Sequence, residues 1–165
     1  MIIRFPALLI AAAAATLLLA SAAFADDNDN LRTADDAKAM LTKAVAAVKA
    51  DKAKALDMFN KGEGGFHDGN LYVSCFNVSD GKLIATGSPH LKKRLGEDAR
   101  TFRDEYGTPL KFDAVAQKPD GDITAMDVQI PKPGATDKAE PKEIYATKID
   151  DLICGVGYYY YRGLN

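Results

Sequence analysis

A chain of 165 residues, with 21 basic and 23 acidic side chains and a net charge of −2, has the size of one domain. It lacks the basic excess of a nucleic-acid binder. Small anionic ligands remain open to it, because one lysine in a cleft outweighs the global charge there.

The first four residues carry one positive charge, Arg4, and an apolar run from 5 to 20 follows. It closes on Ala23-Phe24-Ala25, a small-x-small pattern that signal peptidase accepts, and residues 26–30 are all polar or acidic. A charged start, an apolar centre and a small-residue cleavage site are the three parts of a secretory signal. Residues 1–25 are therefore expected to be removed, leaving 26–165 as one extracytoplasmic domain, most simply in the periplasm. The alternative, an uncleaved anchor, needs about 20 strongly apolar residues, and much of this run is alanine. No later stretch is long enough to cross a bilayer, so the mature chain is expected to have no span. In an oxidising compartment Cys75 and Cys154 are expected to form a disulfide, with two buried thiols on neighbouring strands as the alternative.

Residues 31–60 read as helix. Thr33 caps it, Asp35 and Asp36 lie in the positive first turn, and Ala34, Ala37, Leu41, Ala44, Val45 and Val48 recur on one face. Asp51 reads as a second cap, which divides the stretch into two helices, and Gly62, Gly64 and Gly65 end the second. Residues 71–78 are β-branched and aromatic; Asp80-Gly81 makes a turn and 83–86 completes a hairpin. A loop with Gly87, Pro89 and Gly96 leads to a short helical piece over 97–105. Thr108-Pro109 reads as a cap and first helical position, opening a helix through Val115. Asp120-Gly121-Asp122 turns into a strand over 123–130. The segment 131–141 holds three prolines and reads as a surface loop. Strands over 142–149 and 152–161 follow, joined by a tight turn at Asp150-Asp151. The order predicts an α+β fold: a five-stranded antiparallel sheet with an N-terminal amphipathic helix and short helices over one face.

The order and its landmark residues resemble the single Cache domain, an extracytoplasmic sensor with a PAS-like sheet. The landmarks are the helix end 55–59, then Phe66-His67-Asp68-Gly69-Asn70-Leu71-Tyr72-Val73, and the hairpin Asp80-Gly81-Lys82-Leu83-Ile84-Ala85. Leu95-Gly96-Glu97-Asp98, Asp104-Glu105-Tyr106-Gly107, Lys142-Glu143-Ile144-Tyr145 and Gly155-Val156-Gly157-Tyr158-Tyr159 complete them. The resemblance implies a sheet whose first and last strands are neighbours, which brings Cys75 beside Cys154. It also implies a pocket on one sheet face that takes small carboxylates, amino acids or similar metabolites. The chain departs from the family in the order of Pro89-His90 and in having no tryptophan, so the ligand's identity does not carry over.

Tyr72, His90, Lys142 and Tyr145 are the expected ligand-binding residues. Lys142 and Tyr145 are three apart on one strand and point to opposite faces; Tyr145 is expected inside, with Lys142 bending over the rim. In the run Tyr158 to Tyr161 two rings fall on each face, and at least two hydroxyls are expected to stay wet. His67 and His90 lack metal-ligand spacing, and no P-loop, dinucleotide fingerprint or Gly-x-Ser-x-Gly elbow occurs. Cys75 sits among apolar neighbours that disfavour a thiolate. The expectation is therefore a binding or sensing module with no catalytic residue, no metal and no cofactor. Such a module would act on a partner such as a membrane receptor or transporter. The alternative is a Cache-like fold that has lost its ligand and serves as a structural or interaction module.

Overall fold

The computed structural model describes residues 32–132 and 138–160. The expected signal segment 1–25 and Tyr161 lie outside them.

Helix α1 (Ala34–Ala50) begins at Thr33 with a reciprocal cap: the Thr33 hydroxyl accepts from the Asp36 amide, and Asp36 accepts from the Thr33 amide at 2.8 Å. These bonds hold the Asp36 carboxyl below its ordinary value. Asp51 closes α1 and caps α2 (Lys52–Lys61), its carboxylate accepting from the Lys54 amide. Gly62 ends α2 in the left-handed region, at φ 71°.

The strands are β1 (His67–Asp68), β2 (Leu71–Asn77), β3 (Leu83–Thr86), β4 (Thr124–Pro131), β5 (Ala139–Ile149) and β6 (Leu152–Tyr159). All pair antiparallel in the order β1-β2-β6-β5-β4, with β3 also on β2. The five expected strands are present, and the two-residue β1 was not foreseen. The β4–β5 ladder runs further into the proline-rich segment than expected, to the pair Pro131↔Ala139. The region between β3 and β4 is less helical than its composition suggested. It holds 3₁₀ turns at Leu91–Arg94 and Ala99–Thr101 and one short helix, α3 (Phe112–Ala116). Thr108 does not open α3: its amide and carbonyl are both bonded to Asp104, which turns the chain before Pro109.

Side chains alternate across the sheet and give it two buried faces. Leu41, Ala44, Val48 and Phe59 of the helices pack on Val73, Cys75, Cys154 and Val156. On the other face Phe112, Val115 and Ala99 pack on Met126, Ala146 and Ile153. Cys75 and Cys154 are register partners on β2 and β6 and are disulfide-bonded, with Cα atoms 4.1 Å apart. Both are fully buried on the helix side.

Candidate ligand pocket

The second sheet face does not close completely against the segment 88–116. A cavity of about 330 Å³ remains between them, within the usual range for small-molecule sites. Its floor follows the strand register in rows. Lys142 stands between Val128 and Tyr159, and the next row is Met126, Ile144 and Gly157. Then come Ala146, Gly155 and Ser74, and finally Ile153 and Phe76. Leu91, Phe102, Leu110, Phe112 and Val115 form the roof.

The polar end is built around Lys142, which is only 1% exposed. Its stem leaves β5 and lies over β6 at Gly157, where an added Cβ would stand 2.7 Å from Lys142 Cε. The absence of a side chain there opens the crossing. Lys142 Nζ donates to Tyr72 Oη at 2.9 Å and lies 4.1 Å and 4.6 Å from the ring centres of Tyr72 and Tyr159. The two rings stabilise the cation by cation–π attraction. Among the described residues no carboxylate pairs with it. Because Tyr72 Oη accepts from the lysine, its own proton is free to point elsewhere. The result is two adjacent donors at the end of a largely apolar cavity. The chemistry that completes it is an anion with two acceptor oxygens.

Tyr72, His90 and Lys142 all line the cavity, His90 as an exposed residue at its margin. Tyr145 does not. The expectation that Tyr145 is inside and Lys142 at the rim is reversed: Tyr145 pairs with Val156 in the register and faces α1. There its hydroxyl and that of Tyr158 both donate to Glu143 Oε2, at 2.6 Å and 2.8 Å, and Lys38 lies over its ring. Burial, then Glu143, raises the Tyr145 hydroxyl and pushes Tyr158 up to about 12. Both groups stay neutral in the native protein above pH 10, where tyrosines of the unfolded chain ionise. Their contribution to stability is therefore full below pH 10 and lost as the pH rises through the native values. Tyr145→Phe is expected to cost about 1 kcal/mol, read by chemical denaturation, while leaving the pocket's ligand affinity unchanged. A loss of affinity would place Tyr145 in the binding path.

Tyr159 is a neighbour of Lys142 that the sequence alone does not single out. It is 2% exposed, supports Lys142 from below, and donates its hydroxyl to the Pro131 carbonyl at 2.7 Å. The signal was its register opposite Lys142, which the tyrosine run alone does not reveal.

Among the described residues, no cluster of three or more His, Cys, Asp or Glu could hold a metal, and no helix is long and apolar enough to cross a membrane. No protein-family model matches the chain, and no curated protein does. Solved structures do match. One is a Cache chemosensory domain studied for carboxylic acid recognition, with 21% identity, TM-score 0.53, and coverage of 77% of this chain and 88% of that one. A second is the periplasmic sensor domain of a chemotaxis protein, with 19% identity, TM-score 0.56, and coverage of 77% and 90%. A methyl-accepting chemotaxis protein from Vibrio parahaemolyticus matches at 20% identity and TM-score 0.55, over 76% of this chain and 86% of that one. With its α+β order, its antiparallel sheet and its helix packed on one face, the chain has the fold of a Cache sensor domain.

Proposed function

We propose that this protein is an extracytoplasmic sensing module that binds a small organic acid and passes its state to a partner protein. The observation that carries the reading is the buried Lys142 ammonium, held beside the Tyr72 hydroxyl at one end of the cavity without a carboxylate partner among the described residues. A buried charge is costly unless it is paired. A ligand carboxylate supplies the missing pair, and the apolar walls supply most of the remaining affinity. Carboxylic acid recognition by one structural neighbour supports the same ligand class. The sensor neighbours support a membrane receptor as partner and a non-catalytic role; a transporter is the other partner this reading allows. Removal of residues 1–25 and work in the periplasm belong to the same proposal and rest on the three-part pattern at the N-terminus.

The alternative, a ligand-free structural module, calls for a filled interior, and the open cavity weighs against it. A thermal-shift screen of the domain against monocarboxylates separates the two. A ligand at about 100 times its dissociation constant stabilises by about 2.7 kcal/mol, so a binding acid produces a clear rise in melting temperature. No rise with any acid would favour the structural module.

The glycine under the lysine provides a second check. In Gly157→Ala the new methyl meets Lys142 Cε, Ile144 Cγ1 at 2.8 Å and the Glu143 carbonyl at 2.9 Å. Overpacking of this kind costs about 1–3 kcal/mol. Calorimetry should show carboxylate affinity reduced about tenfold or more, as the ammonium loses its place beside Tyr72. Unchanged affinity would mean that the crossing over Gly157 does not position the cation.

A further inference from the structure

We infer that the pocket is built for a monocarboxylate with a sizeable apolar body, a single ring or a medium-length chain, and discriminates against two- and three-carbon acids. This rests on the carboxylate reading above. The cavity is large for a short acid. A water's share of liquid volume is about 30 Å³, so a cavity of about 330 Å³ equals about eleven waters. An acid of about four or five non-hydrogen atoms would leave more than half of it empty, and lost contact across such a gap weakens binding.

The cavity's far walls are apolar. Beyond Lys142 and Tyr72 the floor becomes Ala146 and Gly155, then Ile153 and Phe76. A two-residue step along an antiparallel strand is about 6.8 Å, so the floor runs on for roughly 14 Å past the Gly157 row. Phe76 meets Phe102 and Phe112 edge-on, with ring centres 5.7 Å and 6.2 Å apart, and these rings close the far end. Gly155 and Ala146 carry little or no side chain, so a slot stays open between the cation and those rings.

The other polar side chains on the walls are bonded within the fold or stand exposed at the cavity's edge. The Ser74 hydroxyl is bonded to Thr86 at 2.8 Å. Arg94 is paired with Glu97 and lies over the Phe102 ring. Arg103 donates through Nη1 to the carbonyls of Arg100 and Phe102 and is exposed at the edge, away from the buried floor. The Asp104 carboxylate accepts from the amides of Tyr106, Thr108 and Gln129. A second carboxylate on the ligand would find no ready partner at the apolar end, whereas a hydrocarbon tail would be accommodated.

Isothermal titration of the wild-type protein with acetate, octanoate, octanamide and octanedioate tests this. Each buried methylene adds about 0.8 kcal/mol, or roughly fourfold in affinity. Octanoate is therefore expected to bind at least about a hundredfold more tightly than acetate. Octanamide, which has the tail without the charge, is expected to bind at least about tenfold more weakly than octanoate. Acetate binding as tightly as octanoate would overturn the apolar-body inference and leave the carboxylate reading standing. Octanedioate binding more tightly than octanoate would also overturn it, by revealing a second anion site. Octanamide matching octanoate would overturn the carboxylate reading itself, and no heat with any of the four would overturn both.

Discussion

Removing the disulfide lowers stability by about 4 kcal/mol without touching the pocket. The bridge joins cysteines 79 residues apart, and closing so long a loop restricts the unfolded chain by about that amount on the chain-entropy model. The sulfurs sit on the helix side of the sheet, between Val73, Val156 and the residues of α1. The cavity is on the opposite face. Cys75→Ala/Cys154→Ala is therefore expected to melt roughly 10–15 °C below the wild type and, measured while folded, to bind ligand as the wild type does. An unchanged melting temperature would mean that the unfolded chain gains nothing from release of the link. Lost affinity in the folded variant would mean that the two faces of the sheet are coupled.

The sequence was informative where local chemistry and tertiary structure agree. Thr33 and Asp51 announce their caps, the apolar face of α1 has helical period, and Asp80-Gly81 and Asp150-Asp151 mark hairpins that exist. Strand alternation also showed that Lys142 and Tyr145 must face opposite ways. It could not say which face held the helices, because that depends on how the whole sheet is covered. Propensity favoured tyrosine inside and lysine at the rim. The bare backbone at Gly157 and the rings of Tyr72 and Tyr159 reverse that preference, and all three come from other strands. The segment 97–105 is helical only over the 3₁₀ turn Ala99–Thr101, for a related reason. Its polar residues have no helical stripe to bury, so beyond that turn the chain is held by side-chain bonds such as those of Asp104.

Lys142→Met is expected to weaken carboxylate binding by ten- to a hundredfold while leaving the protein at least as stable. Methionine keeps an unbranched apolar stem over Gly157 and removes the ammonium. A charge-assisted hydrogen bond to a carboxylate contributes about 1.5–3 kcal/mol net, which sets the size of the loss at 1.4 kcal/mol per decade. Stability behaves differently because the lysine is 1% exposed. Replacing a buried ion by an apolar side chain of similar volume is often neutral or stabilising. Lys142→Ala is the less informative variant, since it also leaves a cavity and costs stability for that reason. A melting temperature well below the wild type for Lys142→Met would show that the ammonium holds the sheet together.

A crystal structure of the protein soaked with octanoate shows directly where the carboxylate sits. The carboxylate is expected between Lys142 Nζ and Tyr72 Oη, with an oxygen about 2.7–2.9 Å from the ammonium and the chain lying over Ala146 and Gly155 toward Phe76. A carboxylate turned outward beside His90, or a cavity still empty at saturating octanoate, would contradict this placement.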